Sequence, residues 1–134
     1  MENKKKFSRS IKELENIFNF LEGNGEKFHL GERLLHDIEL SVEEIFTNMV
    51  RHNSGSSQAI EISIESVNGQ ILTCLTDHEE HPFDLTKTTK IDFDDYIKKK
   101  RSGGLGIFLV KQLMDEVKFE HQNGISKITI IKNV

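Results

Sequence analysis

The residues best suited to chemistry lie on one predicted helix, where Glu44, Asn48 and His52 follow one another at intervals of four residues. Each step of four advances only about 40° around a helix, so the three side chains form one polar stripe beside the apolar face. A carboxylate and a carboxamide in that stripe could act as a general base and as an oxygen ligand for Mg²⁺. The spacing alone favours a plain polar helix face, and Ser41 with Glu44 also matches a capping box, which would give Glu44 a local role.

A second candidate site is the stretch RSGGLG, in which Arg101, Gly103, Gly104 and Gly106 precede a strongly apolar run. Glycines let backbone N–H groups approach an anion, and a following helix contributes the partial positive charge of its N-terminus. This is neither a Walker A loop nor a Rossmann fingerprint, because no G-K-[ST] follows and charged residues, rather than a buried strand, precede it. Phosphate binding and a flexible hinge are equally well supported by the residues themselves.

A third stretch, LTDHEEHPFD, combines histidines and carboxylates beside the only proline. His78 and His81 are three residues apart, whereas the zinc-protease motif needs a spacing of four on a helix. Pro82 and the preceding strand-like run argue against a helix here, so a metal site is not favoured. Asp77 differs from its neighbours because it ends a predicted buried strand, where a carboxylate needs a partner.

Composition describes one soluble globular domain covering residues 1–134. The formal charge of −4 argues against direct binding of nucleic acid. A single cysteine excludes a disulfide framework and fits a reducing, cytoplasmic location. The start lacks the apolar region of a signal peptide, and no stretch is apolar enough to predict a membrane span. The lysines of NKKKF are interpreted as a solvated lead-in.

Two amphipathic helices are predicted in the first half of the chain. The first begins at a capping box, Ser10 with Glu13, and ends at Gly23, whereas the second covers residues 31–53. Their buried faces are given by apolar residues at helical spacing: Ile11, Leu14, Ile17, Phe18 and Leu21 in the first, and Leu34, Leu35, Ile38, Val42, Ile45, Phe46 and Met49 in the second.

The second half is predicted to contain two β-hairpins with a helix between them. Residues 59–66 and 70–77 form the first hairpin, and residues 117–122 and 126–132 form the second, around an Asn-Gly turn. The apolar run 107–117 forms the intervening helix. This order of elements predicts an α+β fold with helices packed on one face of a mainly antiparallel sheet.

Together these motifs resemble the bacterial anti-sigma-factor serine kinases of the Bergerat ATP-binding superfamily, also called GHKL or histidine-kinase-like. SVEEIFTNMVRH is similar to the family's first motif, in which Glu precedes Asn by four residues and His follows it by four. RSGGLGIFLVKQLMDEV is similar to its glycine-loop-and-helix motif. The resemblance runs from about Ile11 to Lys132 and implies a two-layer α/β sandwich that holds ATP between the helices and a lid at about residues 84–103.

The resemblance also implies roles for individual residues. Glu44 would act as base toward a serine or threonine hydroxyl, and Asn48 would hold Mg²⁺ bridging the phosphates. Asp77 would accept a hydrogen bond from the adenine amino group. The phosphates would be bound by Arg101 and the glycine segment, largely through backbone N–H groups: Gly103, Gly104, Leu105, Gly106 and Ile107.

The adenine-side motif departs from the family pattern. The family usually has Asp-x-Gly, then a residue or two and Pro-Phe-Asp; Asp77 and Pro82 to Asp84 are present here, but Glu79 stands at the glycine position. Glu79 adds bulk and negative charge near a nucleotide that is itself anionic.

Two functions follow from this comparison of motifs. The resemblance implies an ATP-dependent serine/threonine-protein kinase that phosphorylates an anti-sigma-factor antagonist, binds a sigma factor or similar protein, and forms a homodimer in the cytoplasm. The alternative is a partner-switching binding module that binds ATP weakly or not at all, because its Asp-x-Gly motif is altered at Glu79.

Overall fold

The elements of the chain were located in a computed structural model, which describes residues 3–52, 57–78 and 102–134. In chain order they are β1 (Lys4–Phe7), a 3-10 turn (Ile11–Glu13), α1 (Leu14–Lys27), α2 (Glu32–His52), β2 (Ile60–Val67), β3 (Gln70–His78), α3 (Ser102–Leu113), β4 (Glu116–Gln122) and β5 (Ile125–Asn133). The five strands form one antiparallel sheet in the order β1-β2-β3-β5-β4. The predicted α+β class is confirmed.

One hydrophobic core lies between the helices and the sheet. The central strands alternate, so that Ile60, Ile62 and Ile64 of β2 are fully buried while the residues between them are half-buried. From α2, Val42 and Ile45 are completely buried against this face. Within the described ranges, no helix combines the length and the apolar character that a membrane span needs.

Both predicted hairpins are present, and each closes with an Asn-Gly turn. Asn68 and Gly69 have φ angles of 49° and 78°, and Asn123 and Gly124 have 54° and 74°. Positive φ at both central residues is what a two-residue hairpin turn of type I′ requires. The turns fix the register that places the alternate isoleucines on the core face.

The N-terminal lysines are not a solvated lead-in, as the sequence had suggested. Lys4–Phe7 form an edge strand paired antiparallel with β2, and Phe7 is only 1% exposed. The three lysines stay exposed, which is typical of a protected sheet edge. A strand with one buried residue has too short an apolar pattern to be recognised from sequence.

The predicted end of the first helix at Gly23 is wrong, because α1 continues to Lys27. Gly25 lies so close to α2 that an added Cβ would be 3.1 Å from a methyl carbon of Leu35. The chain turns instead at His29, which adopts the left-handed conformation with φ of 57°. The second glycine therefore serves helix packing within α1, not termination.

The buried stripe of the first helix also differs from the prediction at its edges. Ile11 lies in the 3-10 turn and is 53% exposed, whereas Phe20, which was not predicted, is buried against Phe7 with ring centroids 5.7 Å apart. Ile17 and Leu21 are fully buried as expected. The 3-10 turn shifts the helical phase, so the stripe begins later than the capping box suggests.

The third helix begins and ends earlier than predicted. It starts at Ser102, so the glycines lie inside its first turns, and it ends at Leu113. Lys132 donates a hydrogen bond of 2.6 Å to the carbonyl of Leu113, and Asp115 N–H bonds to the carbonyl of Ile131 at 2.9 Å. These contacts with β5 end the helix and start β4 at Glu116, within the stretch predicted to be helical.

Candidate active site

The polar stripe of α2 lies in the middle of an unbroken helix. α2 begins at Glu32, so Ser41 is far from its start, and the Ser41 hydroxyl donates to the Asp37 carbonyl at 2.9 Å. The capping-box interpretation of Ser41 with Glu44 is therefore wrong. This leaves the Glu44 carboxylate without the local role that the sequence offered it.

Glu44 and Asn48 contact each other one helical turn apart. The Asn48 amide Nδ2 donates to Glu44 Oε1 at 3.0 Å and to the Glu44 carbonyl at 2.7 Å. Asn48 is 8% exposed and Glu44 is half-buried. Burial raises the pKa of the Glu44 carboxyl, while the hydrogen bond from Asn48 and the charge of Arg51 oppose that rise. Glu44 is thus a half-buried carboxylate whose orientation is fixed by Asn48.

The phosphate-binding prediction falls on the N-terminus of α3. The first four N–H groups of a helix have no intrahelical acceptor, and here they belong to Ser102, Gly103, Gly104 and Leu105. α3 packs against α2, which carries Glu44 and Asn48. The structure thus brings the helix of the proposed phosphate site next to the helix of the proposed base.

Several predicted residues fall outside what the structure describes. Arg101, Glu79, Pro82 to Asp84 and most of the predicted lid lie in the undescribed range 79–101. For His52 and for residues 102–107, Gly106 and Ile107 included, the backbone is helical but the side chains are not described. Their assignments stay predictions.

Asp77 lies on the core face of β3 and is completely buried. Its partner is Arg9, which the sequence did not single out. Arg9 Nη2 donates to Asp77 Oδ1, and Arg9 Nη1 lies 3.4 Å from Oδ2. The Arg9 side chain is only 6% exposed. The expectation that a carboxylate at this position needs a partner is met, but by a cation 68 residues away in the chain.

Arg9 also contacts the C-terminal part of α2. Its Nη1 donates to the Met49 carbonyl at 3.0 Å. Met49 is within the last four residues of α2, whose carbonyls lack intrahelical donors, and a cation is favourable at that end of a helix. Because Met49 follows Asn48, the guanidinium bridges β3 to the turn of α2 that carries Asn48.

The residues present fit Mg·ATP at one end of the site better than at the other. An amide oxygen and a carboxylate suit a cation that keeps most of its waters, and among the described residues no denser cluster of His, Cys, Asp or Glu could hold a metal. N–H groups at the start of a helix, such as those of α3, suit phosphate. At the adenine end, both oxygens of Asp77 already face the Arg9 guanidinium.

Comparisons with known proteins show the family to which the chain belongs. Residues 7–132 match the family described as "Histidine kinase-like ATPase domain". The chain is 34% identical over 97 residues to the serine-protein kinase RsbW of Oceanobacillus iheyensis, and 31% identical over 98 residues to that of Staphylococcus aureus strain JH9. These alignments cover 68% and 69% of this chain, and 61% and 62% of the two relatives.

Solved structures share the fold at low sequence identity. The RsbU and RsbW domains of Rv1364c from Mycobacterium tuberculosis superpose with a TM-score of 0.70 at 14% identity, over 97% of this chain and 31% of that one. The SiaB–SiaC complex from Pseudomonas aeruginosa gives 0.65 at 14%, over 96% and 87%. The family match covers nearly the whole chain, and the fold and the motifs agree with it. The chain belongs to the histidine kinase-like ATPase domain family.

Proposed function

We propose that this chain is an ATP-dependent serine/threonine-protein kinase that phosphorylates an anti-sigma-factor antagonist or a related regulatory protein. The observation that carries the proposal is the contact between Glu44 and Asn48, a half-buried carboxylate hydrogen-bonded to a buried carboxamide on a helix that packs against α3. The relatives named serine-protein kinase support it at the level of the family.

In this proposal the chain supplies position and charge rather than covalent chemistry. Bound Mg·ATP would supply the transferable phosphoryl group. Glu44 would take the proton from the acceptor hydroxyl at its Oε atoms, and its raised pKa makes it a better proton acceptor than an exposed carboxylate. Asn48 would orient Glu44 through Nδ2 and offer its amide oxygen to Mg²⁺. The N–H groups at the start of α3 would bind phosphate oxygens.

A second candidate function has an observation of its own. The carboxylate that would recognise adenine is bound to Arg9, which fits a module that binds partner proteins without using ATP. The SiaB–SiaC structure is that of a protein with this fold in a complex with another protein. The proposed kinase would also bind a sigma factor or a similar protein and would assemble into a homodimer.

The test separates binding from transfer. Calorimetry with Mg·ATP measures binding, and transfer of labelled γ-phosphate to a purified anti-sigma-factor antagonist from the same organism measures the reaction. Glu44→Gln should abolish transfer and leave Mg·ATP affinity within a few-fold, because only the base is lost. Asn48→Ala should weaken Mg·ATP binding.

The matched control is Glu43→Gln, which removes the adjacent carboxylate on α2 but leaves the hydrogen bond between Glu44 and Asn48 in place. Its transfer rate should stay close to that of the unmodified protein. Transfer at the unmodified rate by Glu44→Gln would eliminate Glu44 as the base. Absence of Mg·ATP binding at millimolar concentration would exclude the kinase and favour the binding module.

A further inference from the structure

The strongest unassigned feature of the molecule is the buried ion pair between Arg9 and Asp77. Arg9 comes from the short connection between β1 and the 3-10 turn, while Asp77 is the penultimate residue of β3. The two side chains are 6% and 0% exposed. A guanidinium has five N–H donors and no acceptor, so it competes for the same carboxylate oxygens as any other hydrogen-bond donor.

An adenine amino group is such a competing donor. It needs an acceptor oxygen with room beside it, and Asp77 has no such room, because it is completely buried and Arg9 lies along both of its oxygens. We propose that Arg9 occupies the position on Asp77 that an adenine amino group would take, so that Arg9 sets the affinity of this protein for ATP. This inference rests on the proposed ATP site and adds to it a residue that limits its occupation.

The hydrogen bonding of Arg9 is consistent with a side chain that a ligand can displace from Asp77. Its Nη atoms are bonded to Asp77 and to the Met49 carbonyl, but Nε is buried and has no acceptor among the described residues. A buried N–H without a partner loses its hydration and gains nothing in return. A guanidinium fixed there solely for stability would be expected to have every N–H bonded.

The backbone around Arg9 is anchored on both sides. Phe7 is buried in the core, Ser8 N–H donates to Glu13 Oε2 at 2.9 Å, and the Ser10 hydroxyl accepts from Lys12 N–H. Release of Asp77 therefore takes a change of the Arg9 side-chain rotamer and leaves β1 in place. Rotation of one side chain is the smallest movement that frees the carboxylate.

The size of the effect follows from the fraction of molecules in which Arg9 has left Asp77. The apparent affinity for ATP is the intrinsic affinity multiplied by that fraction. A minor state of a two-state equilibrium is typically populated at about 0.1–10%. Removing the guanidinium should thus strengthen Mg·ATP binding by roughly 10- to 1,000-fold.

Calorimetry with Mg·ATP on the full chain tests this with the variant Arg9→Ala. The matched control is Arg33→Ala, which removes an exposed arginine of α2. We expect Arg9→Ala to bind at least tenfold more tightly than the unmodified protein, or to be the only one of the three that binds. Arg33→Ala should match the unmodified protein.

The outcomes separate this inference from the proposed function. Equal affinities of Arg9→Ala and the unmodified protein would overturn the role of Arg9 and leave the kinase standing. Tighter Mg·ATP binding by Arg9→Ala, with no phosphoryl transfer by any of the three proteins, would support the role of Arg9 and overturn the kinase. If neither Arg9→Ala nor the unmodified protein binds Mg·ATP, both the role of Arg9 and the proposed kinase are overturned.

A second measurement does not depend on the variant folding. In the unmodified protein, the guanidinium protons of Arg9 should give slowly exchanging NMR signals, because the side chain is buried and ion-paired. Saturating Mg·ATP should shift these signals and speed their exchange, whereas those of Arg33 should not change. Arg9 signals that are unaffected by bound nucleotide would overturn the inference.

Discussion

The free energy held in the Arg9–Asp77 pair can be measured without any nucleotide. Both side chains are buried, so Arg9→Ala would leave an uncompensated carboxylate inside the protein. Removing one partner of a buried ion pair costs about 3–5 kcal/mol, against the roughly 5–15 kcal/mol that stabilise a typical domain. Replacing both partners, as in Arg9→Met with Asp77→Leu, should cost much less, because no charge stays buried.

Urea unfolding followed by circular dichroism provides the assay. With a slope of about 2 kcal/mol per molar urea, a loss of about 4 kcal/mol lowers the midpoint by about 2 M. The exposed ion pair of Lys118 with Glu116 is the matched control. Lys118 Nζ lies 3.3 Å from Glu116 Oε2, and the two side chains are 58% and 51% exposed. Lys118→Ala should cost less than about 1 kcal/mol. A cost for Arg9→Ala as small as that of Lys118→Ala would refute the argument from burial.

Two further predictions concern Glu44 and the first hairpin turn. Because burial raises the pKa of Glu44, the ionised carboxylate destabilises the folded state, so Glu44→Gln should be more stable than the unmodified protein at pH 7. That advantage should shrink as the pH falls through the raised pKa and should be gone below the ordinary value of 4.5, where the carboxyl is protonated in both states. Urea midpoints whose difference grows toward low pH would contradict this sign. At Gly69, where φ is 78°, a β-branched residue is strained and asparagine is tolerated, so Gly69→Val should cost at least about 1 kcal/mol more than Gly69→Asn in thermal unfolding.

The parts of the molecule that were predicted correctly depend on short-range patterns. The span of α2, both Asn-Gly hairpins and the α+β class follow from apolar periodicity and turn residues that lie close together in the chain. The contact between Glu44 and Asn48 has the same origin, because a spacing of four on a helix makes two side chains neighbours wherever the helix lies.

The parts that were missed depend on contacts between distant residues. β1 has one buried side chain, and its pairing with β2 cannot be read from four residues. Gly23 looks like a helix end, but packing of Gly25 against Leu35 favours continuation of α1. Burial of Asp77 implied a partner without identifying one, since several lysines and arginines could have supplied the charge and only the fold brings Arg9 to it.

The two ends of the proposed nucleotide site therefore differ in how the sequence defines them. At the phosphate end, Glu44 and Asn48 are fixed by one helix, and a change elsewhere in the chain leaves their spacing intact. At the proposed adenine end, Asp77 is already bonded to Arg9, a cation from the first ten residues of the chain. If Arg9 limits ATP binding as proposed, substitution of Arg9 would alter the affinity for ATP without changing Glu44 or Asn48. A kinase and a nucleotide-independent binding module would be separated on this scaffold by the strength of a single ion pair.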